Sequence, residues 1–332
     1  MTKSKTKGNG TSQLGTLIAL LILCVVLAII SPNFLKLSNF MSILKQTSFN
    51  ALVATGMLLC LITAGIDLSV GANAVFCACM AGMLVQAGVT NPVLLLLAAI
   101  VSGTLVGWVN GMLLTRLHLP HPFVSTLGMK NFLWGAALLV TGSKMVSGFP
   151  KGVTWLGEAT IGGDAFGGGF PISFILVILL YIGMHIFLNK TALGRSIYCV
   201  GGNPEAARLS GIHSANVLTF CYTMSGLMAA FAGIVSIGRG GISNGANAMQ
   251  PYDTDAVAAC IIGGASFMGG KGTMAGTMLG ALIIAVLRNG FTLLSVPSSI
   301  QNMVLGLVII VAVFIDVTRE RMEIKARRLA AR

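Results

Sequence analysis

Long runs of apolar residues recur along almost the whole chain and limit what it can fold into. Of its 332 residues, 55% are hydrophobic and only 9% are charged, which is outside the usual range of soluble domains. About 20 apolar residues suffice for a helix to cross a bilayer. The sequence therefore predicts an all-α fold, a polytopic integral membrane bundle with about ten transmembrane helices.

The predicted spans differ in length, and one is too short to cross a membrane alone. The boundaries are 14–31, 48–64, 69–87, 93–115, 126–142, 171–188, 215–237, 254–267, 273–294 and 298–316. The eighth span ends in Gly263-Gly264, which predicts a broken or half-crossing helix whose irregular backbone lines a cavity or is buried in protein. The first apolar run lacks a small-x-small cleavage pattern and is interpreted as a retained span.

Positive charges predict the orientation of the chain. With 1–13 and 317–332 as basic cytoplasmic tails around a transmembrane domain of 14–316, fourteen Lys and Arg residues fall inside and five outside. Cytoplasmic segments carry such an excess, so both termini are predicted to be cytoplasmic. The net charge of +12 is interpreted as topology and contact with membrane lipids, not as nucleic-acid binding. Lys130 and Arg288, inside spans, are interpreted as snorkelling to the interface unless they face the bundle centre.

The cytoplasmic loop 189–214 contains a short helix with signals at both ends. Asn203 can cap the helix, Pro204 fits its first turn, and Gly211 can end it in a left-handed conformation. These signals predict about two helical turns over 204–210. A loop that only reverses the chain would not need a capped helix, so we expect this one to push against another protein.

Carboxylates precede two of the predicted spans. In GIDLSVG (65–71), Asp67 or Ser69 is predicted to cap the third span, with a hinge or a partner contact at the cytoplasmic rim as the alternative. Asp253 and Asp255 are predicted to cap the eighth span on the outer side. With the carboxylates placed at span ends and in loops, the sequence predicts no proton relay across the membrane.

Glycines spaced four residues apart predict close contacts between helices. The two sets are Gly103, Gly107 and Gly111, and Gly272, Gly276 and Gly280. Each set lines one helix face and lets another backbone approach. The related stretches GTLVG (103–107) and GTMLG (276–280) lie five spans apart, which predicts an inverted repeat.

No pattern in the chain indicates chemistry of its own. The loop 263–273 lacks the spacing of a phosphate-binding loop and is predicted to be a flexible hairpin. The histidines and cysteines indicate neither a nucleophilic arrangement nor a metal site. We therefore expect no catalytic residues, no metal and no cofactor in this chain.

Four motifs in combination resemble those of one family. They are GIDLSVG (65–71), HPFVSTLGM (121–129), LGRSIYCVGGNPEAARLSGI (193–212) and IIGGASFMGGKGT (261–273). Together they are similar to the permease subunits of bacterial ABC importers for monosaccharides of the ribose, allose and xylose type. The resemblance extends from about the second span to the last, and it implies a permease of the bacterial inner membrane.

The resemblance also implies partners and site residues. It implies a second permease copy or a paralogue, a double-cassette ATPase subunit that binds ATP and Mg, and a sugar-binding receptor protein. The expected ATPase-coupling residues are Arg195, Asn203, Glu205, Ala206, Ala207, Arg208 and Gly211. The expected signature-turn residues are Gly65, Asp67, Ser69 and Gly71. The expected pathway residues are Phe123, Thr126 and Asp255.

Other functions stay open at this point. A permease for branched-chain amino acids or nucleosides belongs to the same superfamily, and a stand-alone secondary transporter or a membrane enzyme would belong to other classes. The outer loop 143–170 is not well matched to the family and is a candidate for receptor contacts.

Overall fold

The computed structural model describes residues 8–117, 119, 121–163 and 168–330, and most of them are helical. Over these residues the helices are α1 (Gly8–Ile30), α2 (Leu37–Ile62), α3 (Val70–Gln86), α4 (Pro92–Thr115), α5 (Pro122–Val140), α6 (Lys151–Glu158), α7 (Ile172–Lys190), α8 (Ala192–Gly202), α9 (Pro204–Leu209), α10 (Ser214–Gly240), α11 (Tyr252–Ile262), α12 (Met274–Leu293) and α13 (Ser298–Ala330). The predicted all-α class is confirmed.

The strands are short and lie in connecting segments. They are β1 (Val146–Ser147), β2 (Thr160–Ile161), β3 (Phe170–Pro171) and β4 (Ile242–Ser243). β1 pairs with β4 and β2 pairs with β3, both antiparallel. A 3-10 helix follows at Gly245–Met249. The predicted outer loop 143–170 thus contributes β1, α6, β2 and the start of β3, while its residues 164–167 lie outside the described part.

Every predicted span contains a helix, but the helices differ in whether they could cross a membrane alone. Among the described residues, α1, α4, α5, α7, α10, α12 and α13 are long and apolar enough to do so. α2 has 26 residues but carries Lys45 and Asn50. α3 has 17 residues and α11 has only 11. The short eighth span predicted from Gly263-Gly264 is therefore confirmed.

The N-termini of α3 and α11 meet inside the bundle. A Cβ added at Gly71, in the first turn of α3, would lie 2.8 Å from the Tyr252 Cβ and 2.9 Å from the Asp253 backbone nitrogen. From this contact α3 continues toward the β1–β4 ladder, where Gly82 approaches Ser243. α11 continues toward the loop that joins it to α12. We call this contact the interior junction; such discontinuous helices are typical of transporters.

Helix order and packing agree with a repeat of helices, and its inversion stays a prediction. A long helix, a short helix and another long helix follow one another as α2–α3–α4 and again as α10–α11–α12. α4 packs on α10, where Gly107 meets Gly226 backbone to backbone. In the second set α12 packs on α2 and α11, and Gly276 meets Gly263 in the same way. Both predicted glycine stretches therefore lie at close helix contacts.

The core is centred on α2 and α10, and the outer helices expose apolar side chains. The stretch 47–62 of α2 is buried throughout. On α1 and α13, by contrast, Ile29 is 79% exposed and Phe314 is 70% exposed, as expected of surfaces that face lipid. Residues 8–13 and 317–330 of the predicted tails continue α1 and α13, whereas 1–7 and 331–332 lie outside the described residues.

Candidate functional site

The short helix α9 has the end signals that the sequence predicted. The Asn203 side chain accepts a hydrogen bond from the Ala206 backbone nitrogen at 3.0 Å, which satisfies a free donor of the first turn. Gly211 has a φ of 80°, and the Ile212 backbone nitrogen donates to the Ala207 carbonyl oxygen at 3.0 Å. This is a left-handed helix end. The helix finishes at Leu209, one residue before the predicted end.

Most of the surface of α9 is free to meet a partner. Glu205 and Arg208 form an ion pair of 2.7 Å, with both side chains about two-thirds exposed (67% and 68%). The Arg208 guanidinium holds the pKa of the Glu205 carboxyl below its usual range. Leu209 beside them is 75% exposed. Ala207, in contrast, is only 3% exposed, so it seats α9 on the bundle and is not available for direct contact with a partner.

Helix α8 connects α9 to the bundle. Its buried residues lie on one face and include Ile197 and Gly201, whereas Arg195 lies on the exposed face and donates a hydrogen bond to the Lys190 carbonyl at 3.2 Å. A Cβ at Gly201 would overlap the Ile62 carbonyl oxygen at the end of α2. We call residues 192–209 the α8–α9 arm; its inner face touches the end of α2 directly.

The loop 263–273 between α11 and α12 is part of the same contact. The Gly270 backbone nitrogen donates to the Ile62 carbonyl oxygen at 2.8 Å, and the Tyr198 hydroxyl of α8 donates to the Gly272 carbonyl oxygen at 2.8 Å. The Asp316 carboxylate accepts a bond from the Phe267 backbone nitrogen at 3.1 Å. The loop is therefore packed between α2, α8 and α13, and the expectation of a free flexible hairpin was wrong.

The signature turn holds the start of α3 through the Asp67 side chain. One carboxylate oxygen accepts bonds from the Ser69 backbone nitrogen at 3.0 Å and from the Ser69 hydroxyl at 2.6 Å. The other accepts a bond from the Ser225 hydroxyl of α10 at 2.7 Å. Asp67, and not the Ser69 side chain, supplies the predicted cap. Asp67 is only 2% exposed, so the alternative of a partner contact at the rim was wrong.

The other residues of this turn fix it to neighbouring helices. The Asn110 amide of α4 donates to the Ser69 hydroxyl at 2.8 Å. A Cβ at Gly65 would lie 2.7 Å from the Tyr222 hydroxyl, which itself donates to the Ile66 carbonyl at 3.1 Å. Together with the Gly71 contact at the interior junction, these bonds join α2 and α3 to α4, α10 and α11.

Two ion pairs hold the start of α11. The Lys130 ammonium of α5 lies 2.9 Å from an Asp253 carboxylate oxygen, and the Arg288 guanidinium of α12 binds both oxygens of Asp255 at 2.6 and 2.7 Å. Both carboxylate side chains are only 4% exposed. The interpretation that Lys130 and Arg288 snorkel to the interface was wrong, because both pair with buried acids. Asp253 and Asp255 do lie at a helix end, as predicted, but they engage these two bases.

The position of these carboxylates has a simple electrostatic reason. The N-terminus of a helix carries partial positive charge, and at the interior junction two N-termini face each other in a region that excludes water. Asp67 precedes one helix, and Asp253 and Asp255 lie in the first turn of the other. The carboxylates offset the repulsion between the helix ends, and Lys130 and Arg288 balance the added negative charge.

The three predicted pathway residues are not brought together. Phe123 is 46% exposed at the start of α5. Thr126, one turn on, is fully buried, and its hydroxyl donates to the Pro122 carbonyl at 2.8 Å. Asp255 is engaged by Arg288. The ion pairs were not predicted because Lys130 and Asp253 are 123 residues apart in the sequence. The signal that could have indicated them was the presence of two bases inside spans and two acids beside a short span.

The fold and these contacts define a polytopic helical membrane protein in which two short helices start inside the bundle. Residues 39–313 match the family described as branched-chain amino acid transport system / permease component. The chain belongs to this family of transport permeases.

Named relatives are similar over nearly the whole chain. The ribose import permease protein RbsC of Escherichia coli (strain K12) is 38% identical over 307 residues, which is 91% of this chain and 92% of that protein. RbsC of Bacillus subtilis (strain 168) is 38% identical over 309 residues, 92% of each chain. The galactose/methyl galactoside import permease protein MglC of Salmonella typhimurium is 32% identical over 317 residues, 91% of this chain and 93% of its own. No solved structure matches the chain.

Proposed function

We propose that this chain is the transmembrane permease subunit of an ABC importer that carries a monosaccharide across the bacterial inner membrane. The observation that carries the proposal is the similarity, over 91% of the chain, to proteins named as ribose and galactose import permeases. A separate double-cassette ATPase would bind ATP and Mg and supply the energy. The chain itself would carry out no covalent chemistry.

In this proposal the α8–α9 arm is the contact with the ATPase. The exposed part of α9, with Glu205, Arg208 and Leu209, would lie in a recess of that subunit, and Asn203 and Gly211 keep the helix formed. Movement of the arm reaches the end of α2 through the contact between Gly201 and the Ile62 carbonyl. A capped helix packed on its own support can transmit force, whereas a loose loop would absorb it.

The same arm leads to the interior junction by two routes. The end of α2 continues through the signature turn into α3, and the loop 263–273 continues back into α11. Closing of the ATPase would shift the arm, and the bundles would rock between inward-open and outward-open states. Such a shift requires that ATP bind the two states with different affinity. The interior ends of α3 and α11 are where both routes meet, so they are the proposed gate.

Partners and orientation follow from this function. The complex would contain a second permease, either a copy or a paralogue, and a sugar-binding receptor protein on the outer side. The α8–α9 arm and both termini would be cytoplasmic, as the excess of positive charge on that side favours. The exposed apolar faces of α1 and α13 would contact membrane lipids.

Reconstitution tests this function directly. The chain is placed in proteoliposomes with its ATPase and receptor, and uptake of labelled ribose, galactose, leucine and adenosine is compared with and without ATP. We expect uptake of at least one sugar that depends on ATP and on the receptor. ATP-dependent uptake of leucine or adenosine alone would replace the proposal with the amino acid or nucleoside permease. Uphill uptake by the chain alone under an ion gradient would show a secondary transporter.

A further inference from the structure

A charged cleft lies at the end of α10 farthest from the α8–α9 arm. Its volume is about 280 Å³, and its lining consists of Ser42, Lys45, Gly157, Glu158, Gly238 and Arg239. Because α10 has 27 residues and a helix rises 1.5 Å per residue, the cleft is about 40 Å from the arm. Phe123, Thr126 and Asp255 do not line it. We call it the α2–α6–α10 cleft.

One wall of this cleft is built by contact between two glycines. A Cβ at Gly157 would lie 2.7 Å from the Gly238 Cα and 2.8 Å from the Arg239 backbone nitrogen. The backbones of α6 and α10 therefore touch, which places Glu158 and Arg239 on the same wall of the cleft. This wall carries one negative and one positive side chain.

The opposite wall is the first half of α2. Ser42 and Lys45 are three residues apart and lie on one helix face. The Ser42 hydroxyl donates its hydrogen to the Ser38 carbonyl at 2.9 Å, so its oxygen is left as an acceptor toward the cleft. One turn beyond Lys45, the Phe49 ring packs edge-on against the Tyr252 ring with centroids 4.8 Å apart. Tyr252 begins α11, so this side of α2 leads from the cleft to the interior junction.

The charged groups of the cleft do not satisfy one another. Within the part of the chain that the structure describes, Lys45, Glu158 and Arg239 take part in no ion pair or hydrogen bond through their side chains. Two charged donors and one charged acceptor, with no ion pair among them, therefore line a space whose volume is just below that of small-molecule sites, which run from roughly 300 Å³ upward. Charged groups arranged in this way bind a ligand that has both donors and acceptors.

We propose that the α2–α6–α10 cleft binds the ring of the transported monosaccharide as it enters the permease, an inference that rests on the proposed function. Sugar hydroxyls donate to the Glu158 carboxylate and accept from the Arg239 guanidinium and the Lys45 ammonium. A cation would meet two like charges, Lys45 and Arg239, and an anion would pair with these two bases but leave the Glu158 carboxylate without a donor. A neutral polyhydroxyl compound satisfies all three.

The first experiment measures how much sugar moves for each ATP hydrolysed. Full complexes with Glu158→Gln or Arg239→Gln are reconstituted and supplied with saturating receptor and ribose or galactose. Loss of one charged hydrogen bond predicts a fall of about tenfold in sugar moved per ATP, while receptor-stimulated ATP hydrolysis stays within about twofold. Lys144→Gln and Lys151→Gln remove charges on the same side outside the cleft and should leave the ratio unchanged.

The second experiment measures occupancy. Ser42→Cys is placed in a Cys199→Ser background, because Cys199 is the exposed cysteine among those of the chain, and its reaction with a small maleimide is timed. Ribose or galactose at high concentration should slow labelling at least threefold, whereas glycine betaine at equal osmolality should not. A Lys144→Cys variant in the same background reports any general effect of the sugar.

The outcomes separate this inference from the proposed function. If the unaltered complex imports sugar, but neither the coupling ratio nor the labelling responds as expected, the cleft inference is wrong and the function stands. If the variants lose receptor-stimulated ATP hydrolysis at an unchanged ratio, the cleft docks the receptor and the inference is again wrong. If the unaltered complex imports no sugar, the proposed function itself fails.

Discussion

The ion pair between Lys130 and Asp253 offers the sharpest test of how α11 is held. Three variants are made: Lys130→Met, Asp253→Asn and the double variant. Each single change leaves its former partner inside the bundle without a counter-charge. The double change removes both charges and keeps the volumes similar. The pair therefore contributes to stability mainly through the cost of breaking one half of it.

The magnitude follows from burial. Removing one member of a buried pair costs roughly 3–5 kcal/mol. The Asp253 side chain is 4% exposed and the Lys130 side chain 17% exposed. An unpaired Asp253 therefore cannot reach water, whereas an unpaired Lys130 can reach water in part. We expect Lys130→Met to cost about 3 kcal/mol, Asp253→Asn about 2 kcal/mol, and the double variant about 1–2 kcal/mol.

The free energy of unfolding is measured by detergent titration in mixed micelles, with helicity as the signal. The coupling energy between the two sites should then be about 3–4 kcal/mol. Glu205 and Arg208 form an ion pair of similar length that is exposed to water, and the same cycle there should show little coupling. Additive costs at Lys130 and Asp253 would mean that the two charges do not hold α11 as a pair.

Further predictions concern the arm and the core. Gly201→Ala places a methyl group against the carbonyl at the end of α2 and should abolish receptor-stimulated ATP hydrolysis in reconstituted complexes. Gly202→Ala is the control and should be tolerated, because the added methyl group has open space around it. Equal activities of the two variants would contradict the route through α2. Gly107→Ala should destabilise the bundle by about 1–3 kcal/mol because its methyl group overlaps α10, and Gly128→Ala, on an open face, is its control in a thermal unfolding assay. Arg208→Glu places two carboxylates on adjacent turns of α9 and should uncouple ATP hydrolysis from transport, as measured by uptake, without loss of membrane insertion, as measured by expression level. Unchanged coupling would show that α9 takes no part in the mechanism.

Local signals in the sequence were sufficient to predict α9. Asn203, Pro204 and Gly211 act within a few residues, so the cap, the first turn and the left-handed end could be predicted without knowledge of the bundle. The same is true of the short α11, whose length and following Gly263-Gly264 are visible in the sequence. The close glycine contacts of α4 also follow from spacing along a single helix.

The interior contacts could not be predicted in this way, because they join distant parts of the chain. A position of Asp67 at the rim was kept as an alternative because the residue lies between two apolar runs, yet Asp67 is buried and binds Ser225, 158 residues later. Arg288 was interpreted as snorkelling because each charge was weighed against lipid, one at a time. Whether a charged side chain inside a span points to lipid or to the bundle depends on its charge partner, and tertiary packing determines that partner.

The shortness of α11 also constrains how the protein can be made. With 11 residues and two carboxylates in its first turn, this helix cannot leave the insertion machinery for lipid as an independent span, since charged side chains at depth are unfavourable there. Its charge partners are synthesised at different times, Lys130 before it and Arg288 after it. We therefore expect α11 to stay out of the lipid until α12 emerges, and the two helices to enter the bilayer as one unit.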